Sequence, residues 1–210
     1  MTRIEAVISD FGGVLTSPLI DSFAAIQSDS GVPIAALGQA MAALTEKNGV
    51  NPLFELETGR MTEADFLAAL DRELTANLGR EVHMHDFGER YFGYLEPNQE
   101  LIDYMRGLRD RGYKLAICTN NVREWEHRWR AMLPVDEIFD VVVDSAFVGA
   151  RKPERKIYEV TLEQPGVPPG KTLFVDDIEI NCDAARDLGI TSVWFRTTDQ
   201  AIEEIEALLG

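Results

Sequence analysis

The chain has 210 residues, 45% of them apolar and 27% charged, enough to bury a substantial core as one domain with a large insertion or as two small domains. Twenty Lys and Arg against 36 Asp and Glu leave a formal charge of −16, which argues against a nucleic-acid or anionic-membrane surface. An acidic chain that binds phosphate needs local compensation from a metal, a lysine or backbone amides. Cys118 and Cys182 are too few for a disulfide framework, and Cys118 reads as a buried thiol in an apolar strand. Met1-Thr2-Arg3-Ile4-Glu5 lacks the apolar run of a signal peptide and no segment approaches a membrane span, so the cytosol is the default expectation.

Ile4 to Asp10 reads as a first, buried strand that delivers a carboxylate into a Gly12-Gly13 turn. An Asp there costs core burial and helps no fold, so chemistry accounts for it better. From Pro18 to about Glu96 the texture turns helical, with no convincing strand. Asp21 to Ser28 and Ile34 to Leu44 carry helical spacing, Thr62 and Asp65 form a variant capping box ahead of Phe66, Leu67 and Leu70, and Glu81 to Tyr94 is aromatic-rich and helical in part.

After Pro97 helices and strands alternate. Helices are expected over Asn98–Arg111, Arg123–Met132, Glu154–Gln164, Glu179–Leu188 and Asp199–Leu209. Strands are expected over Lys114–Thr119, Asp140–Asp144, Thr172–Asp176 and Thr191–Phe195. Short apolar strands alternating with helices imply a doubly wound parallel sheet covered on both faces. In such sheets ligands bind beyond the carboxyl ends of the strands, near the point where strand order reverses.

Four segments place polar residues at that rim: Asp10-Phe11-Gly12-Gly13, Thr119-Asn120-Asn121, Ala150-Arg151-Lys152-Pro153 and Asp176-Asp177. Together they have the make-up of an Asp nucleophile, a hydroxyl, a lysine and a metal-binding acidic pair. Each alone has a plainer reading. Asp10 suits an Asx turn, Asp176-Asp177 and Thr119-Asn120-Asn121 suit helix caps, and Lys152 suits a solvated turn. Their occurrence together, in order and on strand ends, favours chemistry.

These segments, with Glu57-Thr58-Gly59-Arg60-Met61-Thr62 and the run from Phe174 through Gly189, resemble the motifs of the haloacid dehalogenase-like hydrolase superfamily. Within it the chain is most similar to phosphatase-like proteins related to the N-terminal domain of soluble epoxide hydrolases. The resemblance implies a doubly wound α/β core of five parallel strands (residues 1–16 and 97–210) with an inserted helical cap (residues 17–96). It implies a Mg²⁺-dependent phosphohydrolase acting on a small phosphorylated metabolite. Asp10 would attack phosphorus to form an aspartyl-phosphate. Asp10, the Gly12 carbonyl, Asp176 and Asp177 would serve the metal, and Thr119, Asn120 and Lys152 the phosphate, with Lys152 also counted as catalytic and oriented by Asp176.

One departure stands out. Phosphatases of this superfamily usually carry a second Asp two residues after the nucleophile, which protonates the leaving group and then activates water. Gly12 stands there. A positioned acid/base group is worth ~10²–10⁴-fold, so its loss slows the reaction without forbidding it and spares substrates whose leaving group departs readily. Two alternatives follow: a metal-free 2-haloacid dehalogenase, whose relatives also lack that Asp, and a catalytically weakened metabolite-binding module. Adjacent Asp176 and Asp177 beside a third carboxylate repel one another unless a cation sits among them, which favours metal and phosphate.

Other signals point to structure. Gly166 to Thr172 resembles a P-loop, but its glycines are too close and a strand follows. His83 and His85 lack partners at ligand spacing, and Glu203, Glu204 and Glu206 read as a solvated helix face. Trp125 and Trp129, four residues apart, read mainly as packing, with a substrate entrance as the alternative. Substrate choice is expected in the cap, where Phe23, Phe54, Tyr91 and Phe92 are candidate lining residues.

Overall fold

The computed structural model describes residues 3–84 and 86–210; His85, half of the histidine pair, lies outside the described residues with Met1 and Thr2. Five strands, β1 (Ala6–Ser9), β2 (Lys114–Thr119), β3 (Val141–Asp144), β4 (Thr172–Asp176) and β5 (Thr191–Trp194), form one parallel sheet in the order β3-β2-β1-β4-β5. The chain thus winds outward from β1 on one side and returns to build the other. The reversal falls at β1, where a doubly wound sheet opens its crevice.

Alternation along the strands separates two apolar layers. Val7, Leu115, Ile117, Leu173 and Val175 face one side, and Ile8, Ala116, Cys118 and Phe174 the other. The first layer packs under α6 (Gln99–Asp110) and α12 (Thr198–Leu209), with the short α8 (Val135–Ile138) at its edge. The second packs under α10 (Arg155–Glu163) and α11 (Glu179–Asp187) through Ile157, Tyr158, Cys182 and Ala185. Both cysteines are free and buried, and burial pushes the Cys118 thiol up to about 11.

The inserted cap holds α1 (Leu19–Ser30), α2 (Ile34–Asn48), α3 (Pro52–Glu57), α4 (Glu63–Leu78) and α5 (Phe87–Gly93). It has its own apolar cluster, in which Ile26, Ala40, Leu56, Phe66, Leu74 and Phe87 meet. The expected start of α4 is present: Thr62 Oγ1 accepts from the Asp65 amide at 3.1 Å and donates to its carboxylate at 2.7 Å. The chain enters and leaves side by side, with Ser17 N donating to Glu96 O at 2.7 Å and Asn98 N to Leu15 O at 2.9 Å. No helix among the described residues is long and apolar enough to cross a membrane.

One expected element differs. In place of a helix over Arg123–Met132 the chain makes a 3₁₀ turn at Arg123–Trp125 and then the five-residue α7 (Glu126–Arg130). A 3₁₀ turn winds more tightly than an α-helix, so Trp125 and Trp129 do not share a face. Trp129 is fully buried in the core beside Phe11, with ring centroids 5.1 Å apart, whereas Trp125 packs among the cap aromatics. The last short helix, α9 (Ser145–Val148), starts on the Asp144 side chain, which accepts from Ala146 N at 2.9 Å.

Candidate active site

The sheet register sets the site. Ser9 pairs with Ile117 on one side and Val175 on the other, and Asp10 N donates to Val175 O at 2.8 Å. Asp10 therefore leaves β1 level with Asp176 at the end of β4, and Thr119 ends β2 nearby. Lys152 lies just before α10 and is 1% exposed. Its Nζ stands 2.7 Å from Asp10 Oδ1 and 2.7 Å from Asp176 Oδ2.

Neighbouring groups fix each of these side chains. The Asn120 carboxamide accepts from Lys152 N at 2.7 Å and donates to Lys152 O at 3.0 Å, so its side chain is committed to holding the lysine loop. Asp176 Oδ1 accepts from Ile178 N at 2.8 Å and from Asn181 Nδ2 at 3.0 Å. Asp10 Oδ1 also accepts from Phe11 N at 2.6 Å. The Thr119 hydroxyl is buried and makes no hydrogen bond among the described residues.

Carboxylate oxygens of Asp10, Asp176 and Asp177 lie within 4.8 Å of one another. Gly13 makes this approach possible: at its φ of 78° an added Cβ would fall 2.4 Å from Asp177 Oδ2. Three carboxylates then face one ammonium. Burial pushes Asp10 up to about 8, with Lys152 opposing and Asp176 and Asp177 adding to the rise. Burial also lifts Asp177 to about 6, helped by Asp176. Burial works against the Lys152 charge, but Asp10 and Asp176 outweigh it and hold the lysine protonated. Asp10 Oδ2 and the Asp177 carboxylate accept nothing from another residue among the described residues. An all-oxygen donor set with uncompensated negative charge fits a hard divalent cation such as Mg²⁺.

Above this rim lies a cavity of about 300 Å³ between cap and core. Phe11, Gly12, Thr119, Asn120, Asn121 and Val122 line it from the core, and mainly aliphatic and aromatic side chains line the rest. Phe23, Tyr91 and Phe92 line it as expected, joined by Trp125. Phe54 does not: it is 39% exposed, with the Arg151 guanidinium 3.9 Å above its ring. Gly12 has no side chain to offer, and a Cβ built there would stand 3.2 Å from Leu19 Cδ2. The cap thus fills part of the space that a side chain at position 12 would use.

Glu57, known from the sequence only through a motif likeness, is the one charged residue among the described cavity-lining residues. Arg151 Nε donates to its carboxylate at 2.6 Å and Ser145 Oγ to its carbonyl at 2.5 Å, so the end of α3 is pinned to the core. Among the set-aside signals, His83 lies on the surface 3.1 Å from Glu81, and Gly166 to Thr172 leads into β4.

A haloacid dehalogenase-like hydrolase model matches residues 4–189. The chain belongs to this family. Among relatives it is 24% identical to bifunctional epoxide hydrolase 2 of Sus scrofa across 99% of its own length, while spanning 39% of that protein. It spans 19% of acyl-CoA dehydrogenase family member 10 of Mus musculus. Two relatives match nearly end to end. Sesquiterpene phosphatase astK of Aspergillus oryzae is 26% identical, with 100% of this chain and 98% of that one covered. D-ribitol-5-phosphate phosphatase of Bacteroides thetaiotaomicron is 27% identical, with 89% of each covered. Solved structures share the fold. A family enzyme from Bacteroides thetaiotaomicron in complex with magnesium and inorganic phosphate superposes with a TM-score of 0.65, at 24% identity and 93% and 96% coverage. The L-2-haloacid dehalogenase of Xanthobacter autotrophicus does so with a TM-score of 0.64, at 19% identity and 98% and 83% coverage.

Proposed function

We propose that this hydrolase is a Mg²⁺-dependent phosphatase that cleaves the phosphate monoester of a small, largely apolar alcohol through an aspartyl-phosphate on Asp10. Residues 1–16 and 97–210 form its catalytic core and residues 17–96 its cap. The observation that carries the reading is the gathering of Asp10, Asp176 and Asp177 around one buried lysine. Phosphatases among its relatives support the reaction class.

Asp10, Asp177 and the Gly12 carbonyl would hold the cation, with Asp176 behind them orienting Lys152. When bound, Mg²⁺ supplies positive charge against the phosphoryl oxygens. Lys152 and the Thr119 hydroxyl neutralise and hold those oxygens, while Asn120 fixes the Lys152 backbone. Asp10 Oδ2, unencumbered by Lys152, attacks phosphorus, and the alcohol leaves into the cavity. Water then cleaves the acyl phosphate, and inorganic phosphate departs.

The cavity narrows the alcohol. At about 300 Å³ it has room for a small organic group. Its lining is nearly all hydrocarbon, which suits a prenyl, alkyl or aryl group better than a polyol. That chemistry is closer to the sesquiterpene phosphatase than to the ribitol phosphatase.

The same apolar cavity keeps 2-haloacid dehalogenation as a second reading, since that chemistry also uses an Asp and no acid at position 12. A panel of prenyl, aryl and sugar phosphates together with 2-chloropropionate, each with Mg²⁺ and with EDTA, separates the two. The proposal expects Mg²⁺-dependent phosphate release, highest on apolar esters. Chloride release that survives EDTA, without phosphate release, would refute it in favour of the dehalogenase.

A further inference from the structure

Tyr91, in α5, is 8% exposed, lines the cavity, and makes no hydrogen bond through its hydroxyl among the described residues. Its ring is fixed by Phe23, Phe92 and Trp125, with centroids 5.7, 5.3 and 5.4 Å away. A phenol nine-tenths buried normally finds a partner, because an unmade hydrogen bond costs about 1–3 kcal/mol. An unpartnered one turned into a ligand cavity is partnered by the ligand. The lining that Tyr91 shares includes Gly12, Thr119 and Asn120 of the rim, and burial, then Asp10, Glu57 and Asp177, raise its pKa. The other ionisable group of the lining, Glu57, is engaged by Arg151 at 2.6 Å. Tyr91 is therefore an ionisable proton donor of the lining that no side chain engages among the described residues.

We infer that Tyr91 is a catalytic residue, the proton donor to the leaving oxygen that stands in for the carboxylate absent at position 12. This rests on the phosphatase reading. As Asp10 Oδ2 forms its bond to phosphorus, the bond from phosphorus to the alcohol oxygen breaks. Its electron pair takes the Tyr91 proton, releasing neutral alcohol and leaving tyrosinate. An incoming water then gives one proton back to Tyr91 while its oxygen bonds to phosphorus. The acyl-phosphate bond breaks, returning Asp10 as carboxylate and freeing phosphate. An alkoxide is more basic than a tyrosinate, so the first transfer runs downhill; a good leaving group needs no such help.

Tyr91→Phe keeps the ring and its packing and removes only the hydroxyl. With the full chain and Mg²⁺, kcat/KM for an alkyl phosphate should fall roughly 10²-fold, against less than about threefold for 4-nitrophenyl phosphate, whose leaving group needs no proton. Equal losses on both substrates mark a structural role and overturn the inference, as does an unchanged rate on the alkyl ester. Wild-type protein inactive on every monoester removes the phosphatase reading and this inference with it. An active wild type whose leaving-group dependence is no steeper in Tyr91→Phe removes the inference alone.

Discussion

Asp10 and Asp177 both sit well above the ordinary carboxylate range, at about 8 and about 6, and Asp144 joins them at about 6. For Asp144 the first cause is burial, which the Ala146 amide opposes. A carboxyl with a raised folded pKa binds its proton more tightly folded than unfolded. Stability from these groups is therefore greatest below about pH 4 and is lost as pH rises through 6 and toward 8. We expect the melting temperature of metal-free protein to fall across that window. If Asp10 and Asp177 hold Mg²⁺ as proposed, the ion binds their ionised form and should flatten the fall, adding about 2.7 kcal/mol at 100 times its Kd. A melting curve that rises from pH 5 to 8 without metal, or that ignores Mg²⁺ at pH 8, would contradict this. The acidic side of the candidate site was legible because an Asp at the end of an apolar strand, as at Asp10 and Asp176, is out of place unless it has work to do. Tyr91 was legible only as one of several cap aromatics that could line the site, and Glu57 only through a motif likeness, because an aromatic or a Glu in a helical stretch is ordinary and only the cavity shows that both line it.

At the level of elements, β1 to β5 could be read as short apolar runs, and α4, α6 and α12 from caps and spacing. Pro52–Glu57 was missed because six residues carry too little periodicity, although Asn51 accepting from Leu53 N at 3.0 Å, with Pro52 in the first turn, is a start signal visible in the sequence. The 3₁₀ turn before α7 was also missed, since nothing local distinguishes it from a first helical turn. That small helix α3 matters: Glu57 at its end meets Arg151 beside Lys152, with both side chains largely buried. Removing one partner of such a pair leaves a charge stranded and costs up to about 3–5 kcal/mol. Arg151→Ala should raise amide hydrogen exchange across α3 and raise KM more than it lowers kcat, leaving β1, β2 and β4 protected. Unchanged exchange in α3 would show that the ion pair does not hold the cap.

Across the whole molecule, the division of labour follows the fold. The sheet delivers charge to one rim by strand register, and the cap, with its own apolar core, closes a hydrocarbon cavity over it. Cap motion would exclude water during the first transfer and admit it for the second. Leu19 of the cap stands in space that a side chain at position 12 would use, 3.2 Å from a Cβ built on Gly12. The claim beneath all of this is that Asp10 becomes covalently phosphorylated. Acid-quenching the protein during turnover of 4-nitrophenyl phosphate with Mg²⁺, followed by peptide mass mapping, tests it directly. One phosphoryl group should appear on the peptide containing Asp10, should be labile to hydroxylamine, and should be absent from Asp10→Asn. Steady Mg²⁺-dependent phosphate release by Asp10→Asn, or a phosphoryl group on any other residue, would contradict the account.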